Sequence, residues 1–188
     1  TTGFSSYENM QKNKNDRYQF VLPYYSFDRT IVPEFIDGSI SLNSNGSNDL
    51  NNTNQVTTKI TNNLSYTSND FFTKNGIKNN FNINLRNLNS VGKNATGYKS
   101  SPQIELSSLF EANSSIPLKK ENKKSISYLT PKISIRANPG DMKNHKNSNN
   151  TINTGNIFSV DRFGFGDSFE SGESMTLGLN YRNETLNE

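Results

Sequence analysis

The sequence predicts an all-β chain: an antiparallel, up-and-down transmembrane β-barrel segment of about eight strands, part of a larger barrel. Three observations carry the prediction. Apolar residues recur at every second position, most runs are about 9–11 residues long, and the links between runs alternate between short and long.

The runs fall near 18–27, 35–43, 56–66, 77–87, 103–112, 125–137, 156–163 and 173–183. In 35–43, Ile36, Gly38, Ile40 and Leu42 oppose Asp37, Ser39, Ser41 and Asn43. In 56–66, Val56, Thr58, Ile60, Leu64 and Tyr66 share one face, with Thr57, Lys59, Thr61, Asn63 and Ser65 on the other. In 77–87, Ile77, Phe81, Ile83 and Leu85 oppose Lys78, Asn80, Asn82, Asn84 and Arg86. In 103–112, Ile104, Leu106, Phe110 and Ala112 oppose Gln103, Glu105, Ser107 and Glu111. Leu129, Ile133, Ile135 and Ala137 oppose Tyr128, Lys132, Ser134 and Arg136. In the last run Met175, Leu177, Leu179 and Tyr181 alternate with Ser174, Thr176, Gly178 and Asn180. A helix would place its apolar residues three and four apart, and no stretch keeps that spacing beyond two turns. Pro23 and Pro131 lie inside runs, where a missing N–H removes a ladder bond, so both are expected to kink their strands.

The alternating period fits a soluble sandwich as well as a membrane barrel, with inside and outside exchanged. Composition separates them. Only 30% of the 188 residues are hydrophobic and the mean hydropathy is −0.80, values at which a packed core is hard to fill. An aromatic content of 11% argues against simple disorder. In a barrel the apolar faces meet lipid and the backbone is paired around the ring, so no packed interior is needed. The links 44–55, 88–102 and 138–155 are long and rich in Asn, Ser and Lys, whereas 28–34, 67–76 and 164–172 are short and 113–124 is intermediate. A barrel with long loops on its outside face and tight turns on the periplasmic face has that parity.

A net charge of +3 is too small and too evenly spread for a nucleic-acid surface. No apolar run is long enough for a transmembrane helix. The chain begins Thr-Thr-Gly and its first methionine is Met10, which reads as an internal fragment or a processed product. No residues call for a metal, a cofactor or enzymatic chemistry. His145 stands alone in a polar loop without metal-ligating neighbours, and RFGFGD (162–167) lacks the helix and the Lys-Ser/Thr of a phosphate loop. Asp161, Asp167, Glu170 and Glu173 read as charge partners of Arg162 in a turn. Lys59, Lys78, Arg86, Lys132 and Arg136 fall on polar strand faces and are expected to line a barrel lumen.

The patches DRYQFVLPYYSF (16–27), GSISLNSNGSNDLNNTNQ (38–55), SSIPLKK (114–120), SYLTPKISIRANPGDM (127–142) and IFSVDRFGFGDSFESGESMTLGLNYR (157–182) are distinctive in order and spacing. Together they resemble the C-terminal barrel region of the LptD family of lipopolysaccharide-assembly proteins, especially its alphaproteobacterial forms. The resemblance implies that the whole chain, 1–188, is a fragment of one outer-membrane β-barrel domain, without the family's periplasmic N-terminal domain and terminal barrel strands. It implies lipopolysaccharide as cargo, an LptE-like lipoprotein plug, and an LptA-like periplasmic bridge reached through the missing N-terminal domain. Lumen lysines and arginines would then meet anionic groups of the lipid or acids of the plug. Asp161, Arg162, Gly164, Gly166, Asp167 and Gly172 would form a family-like periplasmic turn between two strands. Alternative readings are a small or porin-like outer-membrane barrel, and a soluble β-sandwich adhesion or binding module.

Overall fold

The computed structural model describes residues 1–8, 10, 18–51, 54–140, 151–164 and 168–185. Asp16, Arg17, Asp141, Met142, His145, Gly166 and Asp167 therefore lie outside the described residues. The described chain contains no helix. It forms β1 (Thr2–Glu8), β2 (Tyr18–Ile31), β3 (Gly38–Asn51), β4 (Gln55–Ser68), β5 (Phe71–Phe72), β6 (Lys78–Lys93), β7 (Gln103–Ser115), β8 (Leu118–Asn122), β9 (Ser125–Asn138) and β10 (Gly172–Thr185). These ten strands make one antiparallel sheet in the order β1-β2-β3-β4-β6-β7-β9-β10, with β5 on β6 and β8 on β9. Successive strands are neighbours, so the topology is up-and-down. Among the described residues no pairing joins β10 back to β1, and the sheet is open.

Three expectations change. First, no strand forms at 156–163. Asn153 accepts the Gly155 N–H on Oδ1 at 2.8 Å, and its carbonyl accepts Ile157 N–H at 3.0 Å. Asn156 Oδ1 accepts Asn153 N–H at 2.7 Å and the Asn156 carbonyl accepts Ser159 N–H at 2.8 Å. Asparagine-stabilised turns thus consume the bonds a strand would offer its neighbour. Second, the long link expected over 44–55 is mostly strand: β3 runs on to Asn51 and β4 begins at Gln55. β6 likewise reaches Lys93. The expected parity of loop lengths falls with these two links, and 139–171 is left as the longest connection. Third, β1, β5 and β8 were not expected at all.

The two prolines differ in what their strands do. Pro23 sits in the register shift between Val21 and Tyr24, a β-bulge against β3. Pro131 stays in register with Leu179 of β10. On its other side Ile116 N–H donates to the Pro131 carbonyl at 3.0 Å, and Pro131 has no N–H to return the bond. That is where β7 and β8 separate, although both keep the same register on β9.

The chain divides into two compact units. The first comprises Thr1–Ile31, Ile40–Ser65 and Leu85–Ser107. Here the face that carries Leu42, Leu64 and Leu85 also carries a polar row. Ser44 Oγ donates to Asn62 Oδ1 at 2.6 Å, and Asn62 Nδ2 donates to Asn87 Oδ1 at 3.2 Å. Thr58 Oγ1 reaches Asn48 Oδ1 at 2.5 Å. On the opposite face Asn63 Nδ2 meets Asn43 at 3.3 Å and Arg86 Nε donates to Asn63 at 2.6 Å. These cross-strand amide bonds explain why residues of poor strand propensity stay in the sheet.

The second unit comprises Val32–Ser39, Tyr66–Asn84 and Ser108–Glu188. Its clearest element is the β9–β10 ladder, in unbroken register from Gly172↔Asn138 to Thr185↔Ser125. The two faces of this ladder differ sharply. Ile135, Met175, Leu177, Leu179 and Tyr181 are all more than half exposed, while Ser134, Arg136, Asn138 and Thr176 are buried. Among the described residues of this unit the buried apolar side chains are Leu109 and Phe169. The polar side of the sheet is therefore the covered one, the reverse of a soluble half-buried sheet.

Candidate functional site

The cover on that polar face is the connection between β9 and β10, here called the strap, described over 151–164 and 168–171. It is held at three levels along β9. Near the middle, Phe158 lies on Gly178 of β10: a Cβ at position 178 would come within 2.7 Å of the Phe158 ring. Only glycine leaves that space. Lys132 of β9 places its ammonium 3.7 Å from the centroid of the same ring, a cation–π contact.

One step further, Arg136 grips the strap backbone. Its Nη1 donates to the Ser159 carbonyl at 2.9 Å and its Nη2 donates to the Val160 carbonyl. Its Nε stands 3.5 Å from Glu111 of β7. The fork geometry of guanidinium allows one side chain to serve both partners. Asn82 Nδ2 and Asn113 Nδ2 donate to the other Glu111 oxygen at 3.0 and 2.8 Å. The buried carboxylate thus has two amides on Oε1 and a cation beside Oε2, which takes no hydrogen bond among the described residues.

At the end of the ladder, Arg162 donates through Nε and Nη2 to Glu170 Oε2 at 2.9 and 2.6 Å, and through Nη2 to Ser174 Oγ at 3.0 Å. Asn138 Nδ2 donates to the Glu170 carbonyl at 3.0 Å. Gly172 has φ 86°, a left-handed residue that turns the strap into β10.

Of the residues expected to line a lumen, Lys78, Lys132 and Arg136 lie on the polar face of this second unit. Lys78 pairs with Asp70 at 2.7 Å. Lys59 and Arg86 belong to the first unit, both half-buried. Of the expected turn motif, Asp161, Arg162, Gly164 and Gly172 are in or beside the strap. They do not link two strands in a tight turn, because 156–163 is not a strand. Asp161 is half-buried and Gly164 has φ 65°. The pairing expected between Arg162 and the acids is realised through Glu170.

Sequence reasoning missed Glu111 and Phe158 as parts of the site. One signal was readable: a glycine, Gly178, inside an otherwise clean strand alternation marks a close approach. Among the described residues no group of histidines, cysteines or acids has the makings of a metal site, and no helix is long and apolar enough to cross a membrane. No family model matches the chain, and no curated protein matches it.

Proposed function

We propose that the chain is part of an outer-membrane β-barrel of the lipopolysaccharide-transport type, which passes lipopolysaccharide to the outer leaflet. The observation that carries this reading is the inversion of the β9–β10 ladder, whose apolar face is bare and whose polar face is covered. A bare row of Met175, Leu177, Leu179 and Tyr181 opposite Ile135 and Leu129 suits acyl chains as its solvent. The covered face, with Lys78, Lys132 and Arg136, suits the sugar and anionic parts of an amphipathic cargo. The resemblance of the ordered patches, above all 127–142 and 157–182, adds the transporter to the barrel. In that reading the lipoprotein plug and the periplasmic bridge are partners of the full-length protein.

The test is made in cells carrying the full-length gene. The expected result is that fractionation finds the protein in the outer membrane and that depletion traps lipopolysaccharide in the periplasm. Outer-membrane location with normal lipid export would remove the transporter and leave the barrel.

One observation favours a second reading, a soluble binding module. The first unit carries polar rows on both sheet faces, Ser44–Asn62–Asn87 on one and Asn43–Asn63–Arg86 on the other. A product that stays soluble without detergent decides for it.

A further inference from the structure

The polar face of the second unit holds a cavity of about 260 Å³ that no strap-holding contact of Arg136 or Arg162 fills. Lys78, Asn80, Asn113, Ser115 and Lys132 line it, and Phe158 of the strap forms one wall. We propose that this cavity binds an oxyanion of the phosphate class, either free phosphate or the phosphomonoester headgroup of a lipid.

Charge is the first argument. Lys132 has no carboxylate within ion-pair distance among the described residues; its ammonium rests on the Phe158 ring, which occupies one side of it and leaves N–H donors on the others. Lys78 has one acidic partner, Asp70, at 2.7 Å. Glu111, the other acid near this wall, is held by Arg136. Two lysines thus line the cavity and one carboxylate, that of Asp70, pairs with one of them, an excess of one positive charge. Phosphate is the compact, multivalent anion that lysine point charges serve well.

Shape is the second argument. The volume lies below the range of about 300–1,000 Å³ for pockets that take drug-sized molecules, so a compact group fits it better. The wall is also fixed. Asn113 Nδ2 donates to Asn80 Oδ1 at 3.1 Å, and Asn80 Nδ2 donates to Asp70 Oδ1 at 3.0 Å, so both amides are oriented. Half-burial of the lysines weakens solvent screening of the attraction.

The experiment titrates inorganic phosphate into the full-length protein in detergent micelles, against chloride at equal ionic strength, and follows heat of binding. Four proteins are compared: wild type, Lys132→Gln, Asp70→Asn, and the exposed control Lys119→Gln. The expected result is saturable phosphate binding, weakened about ten-fold or more by K132Q, strengthened by D70N and unchanged by K119Q. D70N keeps the test decisive if K132Q fails to fold, because removal of a competing carboxylate raises affinity only at a real anion site. No saturable binding in the wild type, no gain in D70N, or an equal loss in K119Q would overturn the proposal. A second arm adds phosphatidic acid to the micelle after saturation. Displacement of phosphate assigns the site to a lipid headgroup, and retention assigns it to free phosphate; both support an oxyanion site. The readout needs no lipid export, so its failure is distinguishable from failure of the transport reading.

Discussion

Arg136 of β9 and Glu111 of β7 stand 3.5 Å apart with each side chain only 4% exposed, and the same guanidinium holds the carbonyls of Ser159 and Val160. One ion pair therefore joins two strands and the strap that covers them. Arg136→Ala removes the cation and leaves Glu111 buried, at an expected cost of about 3–5 kcal/mol in urea unfolding of the refolded protein. The strap becomes the first site of limited proteolysis. Unchanged proteolysis across 151–164 would show that Arg136 does not hold the strap.

Gly178 and Phe158 share one space, so their substitutions are coupled. Gly178→Val displaces the ring and costs about 1–3 kcal/mol as an overpacked contact. Phe158→Ala in the same chain removes the clash, and the double variant recovers part of the loss. A double-mutant cycle with no coupling energy contradicts the contact.

Pro131 leaves the Ile116 carbonyl without a returned ladder bond. Pro131→Ala supplies the N–H, and hydrogen exchange is expected to find a new slowly exchanging amide at position 131. Net stability changes by less than about 1 kcal/mol, because the added bond opposes the greater freedom of the unfolded chain. A fast-exchanging amide there means the seam is set by something other than the missing donor.

Asp70 takes a hydrogen bond from Asn80 and faces Lys78, and these hold its carboxyl below the usual aspartate range. A depressed folded-state value means the contribution is present above the unfolded value and fades as pH falls through the folded one. Carboxyl carbon NMR is expected to show the low titration, with Asn80→Ala and Lys78→Met each raising it. An Asp70 that titrates like a free aspartate removes both contacts.

Leu177 reports the solvent of the apolar face. Leu177→Lys costs about 2–4 kcal/mol if that face meets the bilayer midplane. The same exchange on a water-exposed strand stays within about 0.5 kcal/mol. Unfolding from lipid vesicles separates the two.

The period of two, and with it the assignment of each side chain to one face, was determined by the sequence. Alternation is a local property, and Lys132, Ser134 and Arg136 stand opposite Ile133, Ile135 and Ala137 in any antiparallel pairing. Tertiary structure decided what the asparagines do. Asn48 and Asn62 accept cross-strand hydroxyl bonds from Thr58 and Ser44 inside the sheet, whereas Asn153 and Asn156 bond their own backbone in turns. The same side chain serves either purpose, and the choice depends on whether a neighbouring strand presents a partner in register. The strap was only partly legible: the pairing of Arg162 with a nearby acid could be read locally, but Phe158 looks like a member of a strand until Gly178 and Arg136, distant in sequence, provide the space and the donors that fold the segment back.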